Sequence, residues 1–176
     1  MLQLPPRAGA PQLPRLARFL GALPRGYRYA VELRHEDFYR GGPEEDAAMD
    51  LLRAHAVDLV MMDTRALHTS KSLAFADVRA RKPNFPVVVR ATAAAPIVRF
   101  VPQESLAASR PFLDLWPPAL ARWIGEGKRP FFFMHSPDDT LAPENAYAFH
   151  ALLRAIVDVG DLPAWPGAPR QLGLFP

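Results

Sequence analysis

The 176-residue chain contains no cysteine, which excludes disulfides, thiolate zinc sites and cysteine nucleophiles. It also lacks any apolar run of the roughly 18 residues that a membrane helix needs. Its first residues lack the basic, apolar and small-residue succession of a secretory signal, so a soluble cytoplasmic protein without membrane partners is expected. Lysine is scarce. Lys71, Lys82 and Lys128 are the only ones among 21 basic residues, so the net charge of +3 rests on arginine. Those arginines are scattered, which is compatible with phosphate or nucleic acid but equally with an ordinary arginine-rich surface. No glycine-rich phosphate loop, nucleophile elbow or HExxH pair occurs, so no motif selects a substrate, reaction or cofactor.

With 49% hydrophobic residues the chain can bury one core, and a single domain over residues 1–160 is expected. Met1–Leu4 reads as the tail of a strand stopped by Pro5-Pro6. Leu13, Leu16, Phe19, Leu20 and Leu23 have helical spacing, closed by Pro24 and Gly26. Tyr27 to His35 is a strand in which Ala30, Glu32 and Arg34 share one face and Val31 and Leu33 the other. A helix starting at Pro43, with Glu44, Glu45 and Asp46 in its first turn, turns Met49, Leu52 and Ala56 to the sheet. Val57 to Asp63 is the next strand, and 65–84 reads as a loop with at most one helical turn. Of the β-like runs 86–89 and 97–101, the second is taken as the strand entering the sheet. Phe112 to Gly125 is a helix interrupted by Pro117-Pro118, with Pro117 the alternative start of its first turn, and Pro130 to His135 an apolar strand buried on both faces. Pro143 to Val157 is the last helix.

Strands alternating with helices imply a parallel sheet, and ligands of such sheets bind at the carboxyl ends of the strands. The polar residues there are Glu32, Arg34, His35, Asp63, Arg99 and His135. Glu32, Asp63 and His135 are candidates for proton transfer, and Arg34, His35 and Arg99 for holding an anion. Glu32, Asp63, His35 and His135 also offer carboxylate and imidazole ligands for a divalent metal, without a spacing that specifies one. The plainer alternatives are a structural Glu32–Arg34 pair, a turn-capping Asp63 and a His135 bonded to backbone.

Leu2-Gln3-Leu4-Pro5-Pro6, the Tyr29-Ala30-Val31-Glu32-Leu33-Arg34-His35 strand, Asp63-Thr64, an arginine in a following strand, and a late Phe-Phe strand ahead of Glu144-Asn145-Ala146 resemble the YecE-like family, domain of unknown function 72. The resemblance implies a TIM-barrel-like (β/α) fold without an established activity, Glu32, Arg34 and Asp63 on the family's polar strand ends, and Arg99 on its strand-borne arginine. Two departures stand out. The family's His-Gly step is replaced by Val101-Pro102, and its asparagines after the aromatic strand by His135-Ser136-Pro137-Asp138-Asp139. About five strands are readable against the eight of a closed barrel. The expected fold is therefore an incomplete barrel, corresponding to the C-terminal part of the family fold, whose open edges need an oligomer or a further N-terminal segment.

Residues 161–176 form a Pro/Gly-rich tail ending in Gln171-Leu172-Gly173-Leu174-Phe175. This resembles the pentapeptide by which bacterial DNA polymerases and repair proteins bind the sliding clamp. Such a peptide inserts Leu174 and Phe175 into an apolar pocket, rests Leu172 on a neighbouring wall and fixes register through the Gln171 amide. The two functional readings are thus an enzyme on an anionic phosphate, sugar or nucleic-acid substrate, and a replication or repair accessory protein acting through its tail on an inactive barrel remnant.

Overall fold

The computed structural model describes residues 1–135 and 141–163. Apart from short 3-10 turns, the elements in chain order are β1 (Leu2–Gln3), α1 (Leu13–Gly21), β2 (Ala30–Glu32), α2 (Pro43–Ala54), β3 (Asp58–Asp63), α3 (Arg65–Thr69), α4 (Ala76–Arg81), β4 (Ile97–Phe100), α5 (Leu106–Leu113), α6 (Trp116–Gly125), β5 (Phe131–Met134) and α7 (Ala142–Arg154). The five strands lie side by side in the order β1-β2-β3-β4-β5, and every neighbouring pair is parallel.

Strand parity divides the sheet into two unlike faces. The register aligns Leu2 with Val31, Val31 with Leu59, Met61 with Val98 and Phe100 with Met134. These side chains meet the helices in one apolar core with Leu16, Leu20, Met49, Leu52, Trp116, Leu120, Trp123, Phe149 and Leu153. Trp116 and Phe100 are fully buried there, and each such side chain contributes about 2 kcal/mol by leaving water. Phe132 is stacked on Phe149 with ring centroids 3.8 Å apart, which fastens β5 to α7. The opposite face carries Gln3, Glu32, Val60, Met62, Arg99, Phe131 and Phe133. A sequentially ordered parallel sheet with its helices on one side has the topology of a barrel wall.

The sequence reading holds for β1, α1, β2, α2, β3 and β4, and needs four corrections. Ala56 lies beyond α2 with φ of 52°, exposed, and Ala48 takes the buried position. The stretch 65–84 holds two short helices, α3 and α4, rather than a loop with one turn. The helix expected over 112–125 is two: Ser105 caps α5 by accepting from Ala108 N–H, and α6 begins at Trp116 with prolines in its first turn, where no helical donor is lost. The aromatic strand β5 is an edge strand, with Phe131 and Phe133 49% and 52% exposed, not buried on both faces.

The return from α4 to β4 is extended, since Pro83, Pro86 and the β-branched run Val87–Val89 suit extended backbone over helix. Phe85 stacks on Tyr39 at 4.9 Å, while Thr92 Oγ1 accepts from Leu59 N–H and donates to Val57 O, standing in for a ladder partner at the start of β3. None of the described helices is long and apolar enough to cross a membrane.

Asp58 sits at the same end of β3, 3% exposed, and its Oδ1 accepts from Ala95 N–H at 2.8 Å. Burial pushes its carboxyl above the usual carboxylate range, against the lowering effects of the Ala95 bond and of Arg28. A carboxyl whose folded value is raised stabilises the fold at low pH and loses that contribution as pH rises through the folded value. Asp58→Asn keeps the acceptor and removes the charge. It is expected to leave the urea midpoint at neutral pH unchanged or higher, and to flatten the fall in stability from mildly acidic to neutral pH expected of the parent.

Candidate anion-binding site at the strand ends

Glu32 closes β2 on the face away from the helices and is fully buried. A buried carboxylate is tolerated only when opposite charge and hydrogen bonds compensate its lost hydration. Arg99 supplies both from β4, its Nη1 donating to Glu32 Oε2 at 2.5 Å across 67 residues of sequence. β3 lies between them, with Met62 aligned with Arg99 and Val60 one pleat earlier aligned with Ile97, so the bridge crosses that strand diagonally. Arg34 adds the second cation, Nε lying 3.7 Å from Glu32 Oε1, too far for a hydrogen bond, so that pairing is electrostatic only. Arg34 Nη2 also donates to the carbonyl of Arg81.

Above this cluster lies a cavity of about 340 Å³, lined by Gln3, Arg34, Met62, Val78, Arg81, Lys82, Arg99, Val101 and His135. Each of the five strands, or the residues directly after it, contributes at least one of these side chains. Arg34 and Arg99 line the cavity while Glu32 lies beneath them, holding their guanidinium groups in place. Beside this cluster the Tyr39 hydroxyl, buried and donating to Leu33 O, is pushed well above the usual phenol range, by burial first and then by Glu32.

Asp63 does not join this group. The β3 register aligns it with Phe100 on the helix-facing side, so it points away from Glu32 and Arg99. There it accepts from Arg65 Nε and Nη2 at 2.9 and 2.8 Å, from Trp116 Nε1 at 2.9 Å and from Arg65 N–H at 3.2 Å. It caps the start of α3 and ties β3 to α6.

His35 is likewise outside the cavity. Its Nδ1 accepts from Asp37 N–H, capping the turn at 36–38, and Asp37 Oδ2 in turn accepts from Ala10 N–H. Gly9 makes this approach feasible, because a Cβ there would come within 2.6 Å of Asp37 Oδ2 and 2.9 Å of the His35 ring. Of the expected site residues, Arg34, Arg99 and His135 therefore share the cavity, Glu32 supports it from below, and Asp63 and His35 are elsewhere. The four metal ligands considered from sequence are not brought together, and among the described residues no three His, Asp or Glu side chains could hold a metal. Gln171, Leu172, Leu174 and Phe175 lie outside the described residues.

The family model "Protein of unknown function DUF72" matches residues 1–169. The chain belongs to the DUF72 family. The UPF0759 proteins YecE of Escherichia coli K12 and O157:H7 are each 34% identical to it over 177 aligned residues, covering 99% of this chain and 64% of their own length. The chain thus spans just under two thirds of these curated relatives. A solved DUF72 protein of Thermotoga maritima matches with a TM-score of 0.60 at 19% identity, covering 86% of this chain and 56% of that one. One from Enterococcus faecalis gives 0.60 at 16% identity, covering 86% and 59%. The fold is the TIM-barrel-like α/β fold of that family.

Sequence reasoning missed Arg81, Lys82 and Gln3, which reach the cavity from a crossover and from β1. The closely spaced Arg79, Arg81 and Lys82 were the available signal. Because Glu32 is the carboxylate that both Arg34 and Arg99 face, Glu32→Gln removes the counter-charge they share and is expected to cost about 3 kcal/mol of stability. A denaturant midpoint within error of the parent would show that the cluster is not what holds β2 to β4.

Proposed function

We propose that the strand ends of this DUF72 protein form a receptor for a compact phosphate-type anion. The carrying observation is that Arg34, Arg81, Lys82 and Arg99 line one cavity of about 340 Å³, with Glu32 the one carboxylate seen beneath them among the described residues. Glu32 offsets one of the three guanidinium charges. Guanidinium groups present planar paired donors that match phosphate and carboxylate oxygens. The volume falls at the small end of ligand pockets, roughly 300–1,000 Å³, which suits a phosphorylated small molecule. Met62, Val78 and Val101 supply an apolar wall for its body. Glu32 acts as a positioning residue for the two arginines. His135 is the imidazole on this wall, whereas Asp63 faces the helices, so of the two only His135 is placed to exchange a proton at the mouth.

Titration with inorganic phosphate at low ionic strength tests this reading. Saturable binding is expected, weakened about tenfold by Arg81→Gln as one ionic contact is lost, with unchanged thermal stability in the absence of phosphate. Absence of saturable phosphate and sulfate binding would refute it.

A second reading rests on the sequence of Gln171–Phe175 alone: the tail binds a bacterial sliding clamp. Deleting those five residues is expected to abolish capture by purified clamp, and capture that survives the deletion removes this reading.

A further inference from the structure

The crossover from α3 to β4 carries α4 to the rim of the cation cluster, and its middle takes no part in the core. No side chain from 71 to 82 is buried, and Leu73 is 88% exposed. Polar bonds fix the segment at its two ends. Ser70 Oγ donates to Glu104 Oε1, beyond β4, and accepts from Ser72 N–H at 3.1 Å, while Arg79 Nη1 donates to Ser72 O at 2.8 Å. Pro83 O accepts from Thr64 Oγ1 at 2.6 Å and meets His68 Nε2 at 3.0 Å. A stretch with few buried apolar contacts, held between two fixed points, moves at low cost, and α4 lies within it.

From that stretch Val78 and Arg81 reach the cavity. Arg34 joins it to the sheet through two contacts, and both are long. Its Nη2 lies 3.4 Å from the Arg81 carbonyl, and its Nε lies 3.7 Å from Glu32 Oε1, two buried atoms without a hydrogen-bond partner. A buried donor or acceptor left unmade costs about 1–3 kcal/mol, so an inward movement of α4 that presses Arg34 onto Glu32 is favoured. Like charge opposes it. Arg81 Nε donates to the Asp77 carbonyl, not to a carboxylate, so among the described residues Glu32 alone faces the three guanidinium groups of Arg34, Arg81 and Arg99 around this cavity. Drawing Arg81 inward raises their repulsion until an anion offsets it.

We infer that the 71–82 crossover is a lid that closes on a phosphomonoester, with Arg34 as its latch. The inference rests on the phosphate reading above and narrows its ligand. Guanidinium groups arriving from three directions, on Arg34, Arg81 and Arg99, suit the three terminal oxygens of a monoester, whereas a diester within a nucleic-acid strand offers two. A monoester also carries about two negative charges at neutral pH, matching the two guanidinium charges that Glu32 leaves over, and a diester carries one. With the dianion bound the repulsion is gone. Arg81 moves in, and both Arg34 contacts shorten.

Amide exchange of the full chain, read with inorganic phosphate and with dimethyl phosphate, tests this. Phosphate at about ten times its half-saturating concentration is expected to slow exchange in 71–82 about tenfold, with β3 and β4 unchanged as internal reference. Dimethyl phosphate at the same concentration is expected to slow nothing. Arg34→Lys keeps the charge but not the fork that reaches Glu32 and the Arg81 carbonyl together, so at matched phosphate saturation it is expected to lose the slowing. Saturable phosphate binding with exchange in 71–82 unchanged overturns the lid, dimethyl phosphate as effective as phosphate overturns the monoester, and equal slowing in Arg34→Lys overturns the latch. Failure to bind phosphate at all is a separate result that refutes the receptor itself.

Discussion

The structure depends on one buried carboxylate. Glu32 has no exposed surface, so its charge is sustained only where Arg99 and Arg34 both reach it. That requirement is geometric before it is energetic. Arg99 is on β4 and Glu32 on β2, so β3 must lie between them, and the bridge crosses it diagonally between the levels of Val60 and Met62. A slip of one residue in either pairing would turn Glu32 or Arg99 into the helix layer, where Val31 and Phe100 belong. The ion cluster therefore disfavours alternative registers that the apolar residues alone would tolerate.

The same strand ends serve a second purpose on the opposite face. One residue separates Met62, facing the cavity, from Asp63, facing the helices. Asp63 spends its acceptors on Arg65 and Trp116, and Arg65 lies over the Phe112 ring at 5.4 Å. The carboxyl end of the sheet is thus an ionic layer on both sides. Inside, the charges hold arginines toward the cavity; outside, they fasten α3, α5 and α6 to the sheet. Of these two sets, among the described residues, the inner one has its cationic groups facing a cavity.

Which of these residues could be read from sequence follows from where parity is visible. In Tyr29 to His35 the alternation of apolar and charged residues fixes the faces, so the grouping of Ala30, Glu32 and Arg34 was legible. In Val57 to Met62 the side chains of both faces are apolar apart from Asp58, so nothing indicated that Asp63 points to the helices. The Phe131–Met134 run has the same ambiguity, and its exposure depends on its place at the sheet edge, which composition does not encode. Arg81 and Lys82 were missed for a different reason. They belong to a crossover, and only the fold of 65–95 brings that crossover over the mouth.

The electrostatics of the mouth depend on how far water reaches into it. Attraction between a guanidinium and an anion falls as water enters between them, from a few kcal/mol at intermediate dielectric toward about 1 kcal/mol in bulk water. Where the mouth is open to water the arginines act near the weak limit, and salt screens them further. The chain places the charges, and the water admitted between them and an anion determines how strongly they act.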